Sequence, residues 1–104
     1  MAIAEKLTLQ NMINGEFVDP AEGASEDVID PSTGEVIASS PLSEAEDVNR
    51  AVAAAKAAFE GGWAATSPKE RSDRLLRLAD LVIENGDELI DIETADAGKP
   101  RQAF

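Results

Sequence analysis

Residues 28–41 read "VIDPSTGEVIASSP", two short apolar-rich runs on either side of Asp30-Pro31-Ser32-Thr33-Gly34. Proline presets φ at the second position of a turn, and Gly34 can take the left-handed conformation that closes it. The flanks "EDVID" and "EVIAS" are therefore expected to pair as antiparallel strands. Working upstream, "MINGEFV" sets Asn14-Gly15 between Ile13 and the apolar Phe17 and Val18. Asn-Gly is the strongest two-residue hairpin signal, because both residues tolerate positive φ. Residues 19–25, "DPAEGAS", are turn chemistry with Pro20 and Gly23. The first ten residues are weakly patterned and are expected to be a mobile arm, leaving residues 11–104 as the structured part.

Downstream the period changes from two to 3.6. Ser43-Glu44-Ala45-Glu46 fits a capping box, in which serine and glutamate satisfy backbone amides at a helix start. A helix over about 44–60 is expected, with Val48, Val52, Ala55 and Phe59 at helical spacing and alanines smoothing its buried face. Gly61-Gly62 stops it. Ser67-Pro68-Lys69-Glu70 is a second box, with proline at the first helical position, where its missing amide costs nothing. Leu75, Leu78, Ala79 and Val82 form one stripe of that helix, while Leu76, Leu81 and Ile83 widen it until it needs partners on two sides. Asn85-Gly86 marks a break or C-cap, and helical spacing resumes through Leu89, Ile90 and Ile92 until Gly98-Lys99-Pro100.

The totals narrow the chemistry. The 104 residues suffice for one small domain, and 43% hydrophobic content is that of a globular chain. Much of it is alanine, with one Trp and three Phe for bulk, so the core this chain can build alone is thin. Twenty-one acidic against nine basic residues give a net charge of −12, which argues against nucleic acid or an anionic membrane surface as partner. There is no cysteine for a disulfide or a thiolate and no histidine for a general base or metal ligand. With no apolar run of signal or membrane-spanning length, a cytoplasmic protein is expected.

Taken in order, "INGEFV", "DPSTGEVIA" and "EDVNRAVAAAKAAFEGGWAATSPKERSDRLLRLADLVIENGDELIDIETADAGKP" resemble the amino-terminal segment of the aldehyde dehydrogenase superfamily, over roughly residues 12–100. The stretches "TSPKERSDRLLRLADLVIENG" and "GKPRQAF" look most like the aminoaldehyde dehydrogenases, such as those acting on 4-aminobutyraldehyde or betaine aldehyde. The resemblance implies an α/β fold in which β-hairpins, followed by two or three helices, pack on a Rossmann-like NAD(P)-binding domain. It further implies that residues 11–104 are the amino-terminal part of an NAD(P)-binding domain, incomplete here, with NAD or NADP as cofactor and a homo-oligomeric parent enzyme. The family's nucleophilic cysteine, general-base glutamate and cofactor-binding segments have no counterpart in these residues, so the chain alone is expected to be structural and inactive, with the remainder of the subunit as its partner.

Some members of the family hold a structural Na⁺ or K⁺. The matching positions here are Val28 and Ile29, through main-chain oxygen, and Asp96; oxygen donors suit a hard cation. The bland alternative is that Asp96 faces solvent near a helix end. The carboxylates Asp87, Glu88, Asp91, Glu93 and Asp96 read better as a solvated acidic face than as an acid/base site. Arg71, Arg74 and Arg77 read as a salt-bridged face through Glu70–Arg74 and Asp73–Arg77 rather than as an anion patch. Trp63 is expected to plug the corner between the first two helices. Lys99 complements a helix C-terminus rather than belonging to a phosphate loop. Set against the dehydrogenase segment stands a freestanding acidic interaction module derived from the same fold.

Overall fold

A computed structural model describes residues 5–103. The Asn-Gly pair makes the turn its chemistry demands: Asn14 and Gly15 both have positive φ, 54° and 77°, and join β2 (Asn11–Ile13) to β3 (Glu16–Val18), Met12 facing Phe17 across the pair. The second hairpin joins β4 (Ser25–Ile29) to β5 (Val36–Pro41), antiparallel, with Val28 opposite Ala38 and Ile29 opposite Val36. Ile37 is the extra residue of that ladder, a bulge that adds local twist.

The turn at 30–34 is held by one carboxylate. The Ser32 amide and hydroxyl both donate to Asp30 Oδ1, at 2.8 and 2.7 Å, and the Gly34 amide donates to the Asp30 carbonyl at 2.8 Å. Gly34 closes the turn at φ 77°.

Leu7–Thr8 form a further strand, β1, which pairs parallel with β5, so the first sheet runs β1-β5-β4. The arm read into residues 1–10 thus includes a paired strand, which a two-residue stretch is too short to announce in sequence; residues 1–4 of that arm lie outside the described residues. Ala38, central in β5 and flanked by Leu7 and Val28, is 3% exposed.

Three helices follow: α1 (Ala45–Glu60), α2 (Pro68–Glu84) and α3 (Gly86–Ala97), with a short 3₁₀ turn at Arg101–Ala103. The second capping box forms as the residues require, Ser67 Oγ accepting the Glu70 amide at 3.1 Å and Glu70 accepting the Ser67 amide at 2.7 Å. The first sits one residue later than Ser43-Glu46 would place it. Glu44 is the N-cap and Asp47 accepts its amide at 3.0 Å, because the Ser43 hydroxyl is engaged by the Asn11 side chain at 2.7 Å. Asn85 separates α2 from α3, and Gly98, at φ 68°, ends α3 in the left-handed conformation.

The helices do not close over a core. The α1 stripe expected to be buried is open, with Val48 and Val52 exposed and Phe59 70% exposed. No residue of α2 is buried; Leu75, Leu76, Leu78, Val82 and Ile83 all face outward, Ile83 at 78%. The radius of gyration, 17.1 Å, exceeds the roughly 13 Å of a compact domain of this length. The accessible surface of 7762 Å² likewise exceeds the roughly 5,600 Å² that size scaling gives for a monomer of this mass.

Candidate functional site

The carboxyl-terminal part of helix α3 comes up against the three-stranded sheet. Its Gly98 meets the 30–34 turn so closely that a Cβ there would lie 2.8 Å from Pro31 Cγ. Ala95 is packed to 2% exposure. Between helix and sheet remains a cavity of about 300 Å³ lined by Leu7, Leu9, Val28, Ile37, Ala38, Ser40, Ile92 and Asp96. Two of the three residues singled out for a cation, Val28 and Asp96, therefore share a wall, whereas Ile29 is not part of that lining and its side chain is exposed.

As a donor set these residues suit a hard monovalent ion in kind, one carboxylate with main-chain oxygens, but not in number. Among the described residues no three Asp, Glu, His or Cys side chains cluster closely enough to hold a metal. On the same helix Thr94 Oγ1 is buried with no hydrogen-bond partner among the described residues.

The two carboxylates that are withdrawn from solvent were not on the candidate list. Asp47, 4% exposed, accepts the Ala21 amide at 2.9 Å through Oδ1 and the Glu44 amide through Oδ2, tying the loop after β3 to the start of α1. Those amides, Glu44 first and then Ala21, with Arg50 nearby, hold its carboxyl below the ordinary carboxylate range. Asp30 is held below that range too, chiefly by the Ser32 hydroxyl and amide. The signal for both was available, an acid before Pro-Ser-Thr-Gly and an acid in a helix's first turn. Each accepts two hydrogen bonds that favour its anion, which suits a structural clasp and not proton transfer.

The basic and aromatic candidates resolve differently from the sequence pattern. Arg71 donates to the Thr66 carbonyl at 2.6 Å, Arg74 lies 5.8 Å from the centroid of the Trp63 ring, and Arg77 pairs with Glu84 at 3.3 Å. Glu70 is occupied by its cap and Asp73 by Lys69 at 2.7 Å, so the expected Glu70–Arg74 and Asp73–Arg77 pairs give way to these partners. Trp63 stands at the corner between α1 and α2, half-exposed under Arg74 rather than plugged in. Of the acidic residues on α3, Asp87 and Asp91 pair with Arg101.

Two hairpins and three helices with open apolar faces make an α/β arrangement in which no three Asp, Glu, His or Cys side chains cluster among the described residues. Comparison with known proteins agrees. The model of the aldehyde dehydrogenase family matches residues 17–104. "Aldehyde dehydrogenase family 2 member B4, mitochondrial" of Arabidopsis thaliana is 54% identical over 94 residues, 89% of this chain and 18% of that protein. The crystal structure of an NAD-dependent aldehyde dehydrogenase from Sinorhizobium meliloti superposes with a TM-score of 0.88 at 40% identity, over 92% of this chain and 20% of that one. A betaine aldehyde dehydrogenase from Staphylococcus aureus in complex with NAD⁺ gives 0.86 at 34% identity, over 90% of this chain and 19% of that one. The chain belongs to the aldehyde dehydrogenase family and has the fold of its amino-terminal segment. It spans about a fifth of the length of these relatives.

Proposed function

We propose that these residues are the amino-terminal segment of an NAD(P)-dependent aldehyde dehydrogenase subunit that oxidises an aldehyde to the carboxylate, and that their own role is structural. The observation that carries this is the open apolar surface of α1 and α2 on a chain matching only a fifth of each relative. A helix apolar over so wide an arc is stable when covered, and the cover is the Rossmann-like cofactor domain of the same subunit. The reaction requires a thiolate for the aldehyde carbon, an activated water, and a nicotinamide, which when bound accepts the hydride. This chain has no cysteine, so by itself it does not catalyse the oxidation.

The S. aureus relative is named for betaine aldehyde, whereas the Arabidopsis relative, at higher identity, carries no substrate in its name, so an aminoaldehyde is the narrower form of the proposal. A homo-oligomeric parent belongs to the same reading. So does a cytoplasmic location, although the Arabidopsis relative is mitochondrial by name; no helix of the described residues is long and apolar enough to cross a membrane. A structural Na⁺ or K⁺ on the main-chain oxygens of Val28 and Ile29 and on Asp96 would take its remaining ligands from the rest of the subunit. A freestanding acidic module fits less well, since it would leave all this apolar surface in water.

Reading the coding sequence past the codon for Phe104 tests the proposal. Continuation through several hundred residues with a cysteine and a glycine-rich strand-turn-helix segment is expected; a stop codon at that point would refute it.

A further inference from the structure

The chain contains two Asn-Gly pairs, and the structure treats them differently. Asn14 stands at the tip of the β2–β3 hairpin, exposed, and its side-chain amide makes no hydrogen bond among the described residues. Around Gly15 the space is open, with no heavy atom within 4 Å of where a Cβ would sit. Asn85 is tied down: its side-chain amide donates to the Leu81 carbonyl at 2.8 Å, and its backbone amide donates to the same oxygen at 3.0 Å. The peptide that follows it enters α3, where the Asn85 carbonyl already accepts the Leu89 amide.

We propose that Asn14 is a site of spontaneous deamidation, and that Asn85 is protected from it by the fold. The step is intramolecular. The Gly15 backbone nitrogen attacks Asn14 Cγ, a new N–C bond forms, the Cγ–Nδ2 bond breaks, and ammonia leaves with the proton lost by the Gly15 amide. Water then opens the resulting succinimide at either carbonyl, giving aspartate or isoaspartate; no oxidant or reductant is involved. Glycine after the asparagine matters because no side chain shields its nitrogen. Asn11 and Asn49 precede Met12 and Arg50, and the Asn11 amide is further engaged with Ser43.

Ring closure requires the Asn14–Gly15 peptide to swing out of its turn geometry. The strands that resist this are three residues each and pair only with one another, so local opening of the hairpin tip costs little. At Asn85 the same motion must first break two hydrogen bonds and unseat a helix junction. The products differ in consequence. Aspartate tolerates the left-handed φ of residue 14 and keeps the turn, adding one negative charge. Isoaspartate inserts an extra backbone carbon into a two-residue turn and breaks the register that places Met12 and Ile13 beside Ala51 and Ala55 of α1.

The test is peptide mapping by mass spectrometry of the purified chain held at mildly alkaline pH, in native buffer and in concentrated urea, with isoaspartate assayed in parallel. In native buffer the peptide bearing Asn14 gains the mass of an NH₂-to-OH exchange roughly tenfold faster than the one bearing Asn85, the factor set by the hydrogen bonds Asn85 must give up. In urea the two rates converge. Equal native rates, or conversion of Asn85 ahead of Asn14, would overturn the proposal. Substitution of Asn14→Asp should remove the fast phase while leaving the circular dichroism spectrum unchanged; survival of the fast phase in that variant would likewise overturn it.

Discussion

At the scale of single residues, stability rests on close backbone fits rather than on bulk. Gly98 combines a left-handed φ with a contact to Pro31 that leaves no room for a methyl group. Gly98→Ala is predicted to cost about 1–2 kcal/mol for the backbone strain alone, with more from the clash. Urea unfolding of G98A, P31A and the double variant checks this: removing Pro31 should relieve the clash but not the strain. Asp47 and Asp30 carry the pH dependence. Their folded carboxyls are held below the ordinary range, so the stability they contribute is fully present above that range and is lost as pH falls through their lowered values. The denaturation midpoint of the chain should therefore fall on acidification below about pH 4, and more shallowly in Asp47→Asn, which binds no proton there. A parallel fall in both proteins would show that Asp47 is not the group responsible.

At the scale of elements, the sequence was most readable where one residue type has one job. The Asn-Gly and Pro-Ser-Thr-Gly turns, the Ser67 box and the Gly98 stop each follow from a backbone requirement that few residues meet. Reading was poorer where side chains had a choice. Ser43 left its cap for Asn11, and Arg74 left Glu70 for the Trp63 ring, because a distant partner outcompeted the local one. The parallel pairing of β1 with β5 has no local signature at all. Of the three candidate cation residues, which only a resemblance named, the structure puts Val28 and Asp96 on one cavity wall and leaves Ile29 out of that lining. Two substitutions separate local from external roles. Ser67→Ala should lower helicity and cost about 1 kcal/mol through the lost cap. Ile83→Glu, on the open face of α2, should change the stability of the chain by no more than about 0.5 kcal/mol while abolishing its recovery in assembled enzyme. Loss of stability in the isolated I83E chain would mean that this face is already covered.

At the scale of the whole molecule, the chain is flat, 48 × 36 × 17 Å, and its core is thin. Its net charge of −12 sets the chain against polyanions, while the uncharged arc of α2 offers the area on which a neighbouring layer can pack. The family match and the absence of cysteine stand on their own, whereas the proposed structural role rests on one property, an apolar surface left open within the chain. Thermal unfolding of the isolated chain, followed by circular dichroism and calorimetry together, tests it most directly. A broad transition is predicted, with a calorimetric enthalpy well below the roughly 70 kcal/mol of a fully packed domain of this size. A sharp, two-state melt carrying that full enthalpy would contradict the account, since it would mean the chain completes its own core.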